Sequence, residues 1–325
     1  MEKKCKRLLI LDGLNQFIRG YIVSPAISAN GDPCGGTLTF LRTLQKIMRE
    51  TSPDEIVVAW DAPGGSLARK AIVGDYKAGR SPLRLNRNIR ALSEQEEAAN
   101  KDWQLLKLFE ILNQTPIVQL LIEGVEADDL IAYTCQHKRF DDYEKIIVSS
   151  DKDFYQLLNE STVMLRPIQK EVLSKKSILE KFEIHPNNFA LARAMTGDSS
   201  DNLPGVQGLG LPTVAKRFPI LKEERSYSYD DLVKYIETLE KKYKAHEVLV
   251  ESRAIVEKNY KMMQLKEPLV GKVGSEKVEE VFENFKPAFN QTKFVLGMIK
   301  EGFGEINFNN MFINFYKMIR GYSYE

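Results

Sequence analysis

Four short apolar runs in this sequence each end at an acidic residue or lead directly to one. We interpret each run as a buried strand. In a parallel sheet the carboxyl ends of the strands lie along one edge, where α/β proteins place their sites. The acids are therefore expected to gather at a single edge. The runs are residues 8–11 before Asp12, 56–60 before Asp61, 117–122 before Glu126, Asp128 and Asp129, and 146–150 before Asp151 and Asp153.

The third run leads into the most informative stretch, in which three carboxylates fall within four positions, 126–129. Gly124 ends the strand, and a helix is expected to start at Glu126. Glu126 and Asp129 are three residues apart and share a helix face. Asp128 points elsewhere but can lean toward the same pocket from a first turn. Alone, such a triplet is more typical of a capped helix with a solvated acidic turn. Acids also follow the other three apolar runs, and this recurrence favours a functional site.

A pocket of many carboxylates requires cations, because two unit charges about 4 Å apart repel by about 4 kcal/mol at an effective dielectric of 20. All-oxygen ligands favour Mg²⁺ or Mn²⁺ over zinc. The three cysteines, Cys5, Cys34 and Cys135, are widely spaced, which argues against a disulfide framework and a zinc site and for a reducing compartment. None of the three histidines lies in a motif.

Composition limits the class of protein but not its partners. The 325 residues are 43% hydrophobic, enough for a sizeable core, and the net charge of +1 indicates no particular partner. The N-terminus is basic, but its apolar run stops at Asp12, as in a strand rather than a signal peptide. No apolar stretch approaches the ~20 residues of a membrane span. Together with the reducing compartment, this indicates a cytoplasmic protein without a membrane partner. We also expect a monomer.

Residues 69–90 form a basic segment between two of the acid-ended runs. It contains an aromatic residue, Tyr76, and a single acid, Asp75. Alone it could be a solvated charged loop, but beside an acidic edge it suits a nucleic-acid backbone drawn to that edge. The basic residues are Arg69, Lys70, Lys77, Arg80, Arg84, Arg87 and Arg90.

A glycine-rich turn follows two further acids, Asp198 and Asp201. We expect a hairpin between two helices, in which the glycines let backbone N–H groups approach a phosphate, with the N-terminus of the next helix directed at it. A glycine-rich turn alone would be an ordinary helix ending. The preceding Gly-Asp-x-x-Asp-Asn pattern makes the interpretation more specific. The glycines are Gly205, Gly208 and Gly210.

Helical periodicity dominates after about residue 185. We predict an α/β core over 1–185, a helical region over 186–272, and a C-terminal extension over 273–325. The role of the extension is open. Its many Phe and Tyr residues favour core packing over a segment that docks a partner.

Together these motifs resemble the 5′-nuclease, or flap endonuclease, family. The resemblance is closest to the 5′→3′ exonuclease domain of bacterial DNA polymerase I and its stand-alone phage and bacterial relatives. It covers about residues 7–268, and residues 273–325 have no clear counterpart. The matching segments are Leu-Ile-Leu-Asp-Gly (9–13), Trp-Asp-Ala (60–62), Tyr-Lys-Ala-Gly-Arg (76–80), Gly-Val-Glu-Ala-Asp-Asp (124–129), Ser-Ser-Asp-Lys-Asp-Phe (149–154) and Gly-Asp-Ser-Ser-Asp-Asn-Leu-Pro-Gly-Val-x-Gly-Leu-Gly (197–210).

The resemblance implies a parallel-sheet, three-layer α/β nuclease core of PIN-like type, with a helical arch at about 64–102. It also implies that the helical region over 186–272 binds duplex DNA through a helix–hairpin–helix-like element. The metal carboxylates it implies are Asp12, Asp61, Glu126, Asp128, Asp129, Asp151, Asp153, Asp198 and Asp201. The catalytic cations it implies are Lys77 and Arg80. The DNA-binding residues assigned are Arg19, Arg69, Tyr76, Gly205, Gly208, Gly210, Thr213 and Lys216, with K⁺ at the hairpin. Arg193 stands where some relatives have a small residue.

The expected reaction is two-metal hydrolysis of a phosphodiester. We place Glu126, Asp128, Asp151 and Asp153 in the inner shell. The family resemblance implies substrates with 5′ flaps, nicks or gaps, RNA primers, and contact with replication proteins. Two alternatives remain: a nuclease-like fold that binds DNA junctions without cutting, and an RNA-directed nuclease of the related fold. Intact carboxylates argue against the first, and the basic arch with the glycine hairpin argues against the second.

Overall fold

The computed structural model describes residues 5–79, 84–86, 88–89, 92–304 and 306–322. In chain order the strands and helices are β1 (Lys6–Asp12), α1 (Gly13–Val23), α2 (Gly35–Thr51), β2 (Glu55–Ala59), α3 (Leu67–Ile72), α4 (Glu94–Leu112), β3 (Val118–Leu120), α5 (Ala127–Gln136), β4 (Tyr143–Val148), β5 (Thr162–Arg166), β6 (Glu171–Leu173), α6 (Lys175–Phe182), α7 (Pro186–Thr196), β7 (Gly197–Asp198), β8 (Leu203–Pro204), α8 (Leu211–Arg217), α9 (Tyr229–Glu237), α10 (Lys244–Glu251), α11 (Arg253–Met263), α12 (Gly271–Asn284), α13 (Gln291–Lys300) and α14 (Asn309–Tyr322).

Six strands form one sheet in the order β3-β2-β1-β4-β5-β6. Strands β1 to β5 pair in parallel, so their carboxyl ends share an edge. The sequence predicted a parallel sheet, but β6 pairs antiparallel with β5. The physical reason is length: the turn between β5 and β6 is a hairpin connection, too short for the crossover that a parallel pair needs.

Strand β1 lies at the centre and is buried on both faces. Leu8, Leu9 and Ile10 are 0% exposed and Leu11 is 1% exposed. Side chains of a strand alternate between faces, and these four divide accordingly. Leu8 and Ile10 pack with α5 and α7, whereas Leu9 and Leu11 pack with α1, α2 and α4. An uninterrupted apolar run is typical of a strand covered by helices on both sides.

The chain changes direction across the sheet at β1. It builds β2 and β3 on one side of β1 and then returns to place β4 on the other side. In open α/β sheets such a reversal leaves a crevice at the carboxyl ends of the two strands that flank it. Here those ends are Asp12 of β1 and the residues just after Val148 of β4.

The C-terminal helices contribute to both faces of the molecule. Phe282 of α12 packs with the α5 side of the sheet, and Phe294 of α13 and Phe312 of α14 pack with the α2 side. Phe294 meets Phe308 and Phe312 edge to face, with ring centroids 5.6 and 5.3 Å away. The Phe-rich tail is thus part of the folded core. No helix in the described ranges is both long and apolar enough to span a bilayer.

Candidate active site

Asp12 occupies the end of the central strand and also caps the helix that follows. Its Oδ1 accepts a hydrogen bond from the backbone N–H of Asn15 at 3.1 Å. Its Oδ2 accepts one from the Ser149 hydroxyl at 2.9 Å, just beyond the end of β4. The carboxylate is therefore fixed across the crevice between β1 and β4.

The neighbouring strand ends supply acids in the same way. Asp61 follows β2 by two residues, and its Oδ1 accepts from the backbone N–H of Ala127 at 3.0 Å, at the start of α5. After β4, Asp151 caps a short 3₁₀ helix through a bond from the backbone N–H of Asp153 at 2.9 Å. The short hairpin β7–β8 contributes Asp198 and Asp201 from the helical region.

These acids surround one crevice of about 190 Å³, here called the acidic cavity. Lys77 reaches its rim, and Met262, Met263 and Leu265 form an apolar wall. The carboxylates that line it are Asp12, Asp61, Asp128, Asp151, Asp153, Asp198 and Asp201. Residues separated by up to 189 positions in sequence are thus brought together at the predicted edge of the sheet.

Burial and mutual repulsion disturb the protonation of these acids. Burial, followed by the charge of Asp61, raises the pKa of Asp12 to about 7. Burial and Asp151 raise the pKa of Asp153 to about 7 as well. The pKa of Asp128 lies well above its usual value, through burial and then repulsion from Asp151. Several carboxylates therefore bind protons near neutral pH unless another cation offsets their charge.

The donor chemistry of the acidic cavity fits hard divalent cations. The acids that line it offer carboxylate oxygens, the type of ligand atom that Mg²⁺ and Mn²⁺ prefer. In the described ranges, no three Asp, Glu, His or Cys side chains lie close enough together to hold one metal ion. The carboxylates surround the cavity, as expected from the repulsion of like charges.

Glu126 and Asp129 are paired with Arg69, whose side chain also lines the acidic cavity. The Arg69 Nη1 donates to Glu126 Oε2 at 2.8 Å and to Asp129 Oδ2 at 2.5 Å, and its Nη2 donates to Asp129 Oδ1 at 3.1 Å. Asp129 also accepts from the backbone N–H of Leu269. Of the nine acids expected to hold metal ions, seven line the acidic cavity, and Glu126 and Asp129 are instead paired with Arg69. The reason is helical: positions 126 and 129 share a face that 128 does not.

Two residues predicted to contact DNA are buried. Arg69 is 3% exposed, and its Nε donates to the Met262 carbonyl at 2.9 Å. With Nε, Nη1 and Nη2 all engaged, the guanidinium balances the charge of Glu126 and Asp129. Tyr76 is 4% exposed and its hydroxyl lies 3.4 Å from Glu126 Oε2. Both side chains also line the acidic cavity, so their assignment to DNA binding stays a prediction.

Lys77 keeps a position at the rim of the acidic cavity. Its Nζ donates to Glu126 Oε1 at 2.8 Å. Burial lowers the pKa of Lys77, but the charge and hydrogen bond of Glu126, together with the charges of Asp128 and Asp201, more than offset this, so the pKa lies above its usual value. The lysine is charged at neutral pH. Arg80, the second predicted catalytic cation, lies outside the described residues.

Arg193 has a place in the site that sequence reasoning did not assign. Its Nε donates to Asp153 Oδ1 at 3.1 Å, and its Nη2 donates to Asp198 Oδ2. One guanidinium thus joins a strand-end acid to an acid of the β7–β8 hairpin. The sequence feature that could have indicated this role is the position of Arg193 one helical turn before Gly197, on the helix that leads to Asp198 and Asp201.

The glycine-rich turn divides into a packed part and an open part. A Cβ on Gly205 would lie 2.0 Å from the Thr196 carbonyl oxygen, so this glycine permits close backbone packing. Gly208 has φ +81° with open space around it, and Gly210 precedes α8 with only Pro212 near a built Cβ. Lys216 is exposed and Thr213 is half-buried on α8. Arg19 lies in a separate groove beside Gln16, lined by α1, α2 and β6.

Comparison with known proteins agrees with this architecture. A family model described as "5′-3′ exonuclease, N-terminal resolvase-like domain" matches residues 7–183. The 5′-3′ exonuclease of Aquifex aeolicus is 32% identical over 213 residues, which are 64% of this chain and 67% of that protein. The thermostable DNA polymerase I of Thermus aquaticus is 32% identical over 211 residues, 65% of this chain but 23% of the polymerase.

A solved structure gives a further comparison. The flap endonuclease of bacteriophage T5, in a pseudo-enzyme–product complex with DNA and metal ions, has a TM-score of 0.69 to this chain at 20% identity. The alignment covers 86% of this chain and 98% of that one. At this identity the likeness shows a common fold. With the family model spanning more than half of its length, the chain belongs to the 5′-3′ exonuclease family of hydrolytic nucleases.

Proposed function

We propose that the chain is a divalent-metal-dependent, structure-specific 5′ nuclease that cuts DNA near 5′ ends and at 5′ flaps. One observation carries the proposal. Acids from the ends of β1, β2 and β4, from the start of α5 and from the β7–β8 hairpin line one cavity, and a charged lysine lies at its rim. Such an arrangement suits the hydrolysis of a phosphodiester, whose charge the lysine would stabilise.

When bound, two Mg²⁺ or Mn²⁺ ions would lower the pKa of an attacking water and stabilise the leaving 3′ oxygen. The proposed ligands are the seven carboxylates of the acidic cavity together with Glu126, whose Oε1 is held by Lys77. Asp129 is proposed instead to hold Arg69, since both of its oxygens are engaged there. Lys77 would exchange Glu126 for the substrate phosphate.

The substrate would approach over the basic segment and along the glycine-rich turn. Gly208 and Gly210 leave their backbone accessible to a duplex phosphate, and Lys216 is exposed on the adjoining helix. K⁺ at this turn, Arg19 on the phosphate backbone and Arg80 at the scissile phosphate are part of the proposal, as is the removal of RNA primers. Flapped and nicked duplexes would be preferred because both a duplex and a 5′ end must be held.

The decisive experiment compares a 5′-labelled flap DNA with the same strand unpaired, in Mg²⁺ and in EDTA. We expect short flap products released at the junction, in Mg²⁺ alone. Equal cutting of both DNAs would contradict structure specificity, and tight binding without cutting would favour a junction-binding protein.

A variant that keeps the side-chain volumes distinguishes a nuclease from a protein that binds DNA without cutting it. Asp151→Asn with Asp153→Asn removes two charges from the acidic cavity and keeps the side-chain volumes. Cleavage should be lost while flap DNA binding, measured by fluorescence anisotropy in Ca²⁺, persists. A double variant that still cuts would contradict the proposed site.

A further inference from the structure

The turn that carries Lys77 is attached to the loop that carries Asp201. The Asn202 Nδ2 donates to the carbonyls of Asp75 at 2.9 Å and Ala78 at 2.7 Å. The backbone N–H of Lys77 also points at the Asp201 carbonyl, at 3.4 Å. One side-chain amide therefore joins both ends of residues 75–78, here called the Lys77 turn.

The backbone on both sides of this contact is in a conformation that needs support. Lys77 and Asn202 both have φ +58°. Asparagine is among the few residues that adopt this left-handed conformation readily, whereas lysine adopts it at a cost. Because Lys77 has this costly backbone conformation, the Lys77 turn needs stabilising contacts from outside the turn. The hydrogen bonds of Asn202 provide them.

Apolar packing supports the same contact independently. Val73 and Tyr76 form a buried cluster with Leu203, Met262 and Met263. Tyr76 is adjacent to Lys77, and Leu203 is adjacent to Asn202. Val73, just before the Lys77 turn, and Tyr76, within it, are therefore packed against the residue that follows Asn202, and the polar contact lies beside this packing.

We propose that Asn202 is a positioning residue for Lys77. By donating to the carbonyls of Asp75 and Ala78, it keeps the lysine at the rim of the acidic cavity. It also fixes the position of the lysine relative to Asp198 and Asp201. The inference rests on the proposed function, since it concerns the cation that would act on the substrate phosphate. Asn202 itself touches no reacting atom.

The test is a double-mutant cycle between Asn202→Gly and Lys77→Ala. Glycine keeps the left-handed backbone and removes both hydrogen bonds. With flap DNA and Mg²⁺, Asn202→Gly should lower kcat about 30-fold with little change in KM, the effect expected from two neutral hydrogen bonds. In the Lys77→Ala background the same change should lower kcat less than about 2-fold, because the residue being positioned is gone.

A matched control uses a second asparagine with the same chemistry. Asn86 donates to the Ile22 and Val23 carbonyls, away from the Lys77 turn. Asn86→Gly should change kcat by the same factor whether or not Lys77 is present. Hydrogen exchange of residues 72–79 should accelerate in Asn202→Gly and stay unchanged in Asn86→Gly.

The possible outcomes separate this proposal from the proposed function. If Asn202→Gly lowers kcat equally in both backgrounds, or leaves the exchange of residues 72–79 unchanged, Asn202 does not position Lys77. If Lys77→Ala alone leaves kcat unchanged, the role of Lys77 in the proposed function is contradicted. Asn202→Asp, which tolerates the same backbone but replaces the donor with an acceptor, gives a second test with the same expectation.

Discussion

At the scale of single residues, the carboxylates of the acidic cavity make folding depend on pH. The pKa of Asp12 rises from its usual 3.8 to about 7 on folding, so between these values the folded chain binds more protons than the unfolded chain. Stability contributed by this group is complete below about pH 4 and is lost as the pH rises through about 7. Without divalent cations, the free energy of unfolding should fall over this window.

The first prediction is that Asp12→Asn reduces this fall by about 1–4 kcal/mol, because one titrating group is removed. The measurement is urea unfolding between pH 4 and 8 in EDTA, with Mg²⁺ expected to restore stability at pH 8. Asp231→Asn is the control: the Ser228 hydroxyl holds the pKa of Asp231 below its usual 3.8, so this group titrates below the measured range and its removal should leave the change in stability between pH 4 and 8 nearly unaltered. An Asp12→Asn profile parallel to the parent would contradict the prediction.

The second prediction concerns the buried cation. Arg69→Ala leaves Asp129 buried without its cation and Glu126 with Lys77 as its remaining cation; the two carboxylate side chains are 1% and 4% exposed. Breaking a buried ion pair from one side costs about 3–5 kcal/mol. Arg253→Ala, which removes exposed pairs with Asp230 and Glu257, should cost less than about 1 kcal/mol. Equal losses in urea unfolding would show that Arg69 has no special structural role.

At the scale of elements, the glycine-rich turn after the β7–β8 hairpin contains both a closely packed glycine and an accessible one. We predict that Gly205→Ala costs about 3 kcal/mol or more, because its Cβ would meet the Thr196 backbone, which cannot move aside. Gly208→Ala has open space and should cost about 1–2 kcal/mol through its positive φ alone. Thermal unfolding of both variants checks the order, and a reversed order would contradict the packing described here.

The strand ends were predictable because they depend on local pattern. A buried strand is recognisable from its apolar run, and the residue that follows it must lie at the sheet edge; Asp12, Asp61 and Asp151 satisfy this. For the acids at the start of α5, the sequence predicted which side chains share a face but not what that face contacts. The helical period places Glu126 and Asp129 on one face, but Arg69, 57 residues away from Glu126, determines where that face points.

At the scale of the whole molecule, the C-terminal helices complete the core on the α2 side of the sheet. We predict that Phe294→Ala, which removes a fully buried ring, destabilises the chain by about 3–5 kcal/mol. Ile299→Ala on the same helix removes a side chain that is 62% exposed and should change stability by less than about 0.5 kcal/mol. If the two variants unfold at the same urea concentration, residues 291–300 are not part of the cooperative core.

The sequence by itself determined the sheet, the acids at its edge and the family, because strand burial, strand ends and short motifs are written in adjacent residues. Only the tertiary structure decided which charges meet. Arg69 turns inward to Glu126 and Asp129, Arg193 joins Asp153 to Asp198, and Asn202 holds the Lys77 turn. These pairings join segments whose separation depends on packing throughout the molecule, and no local periodicity encodes that separation.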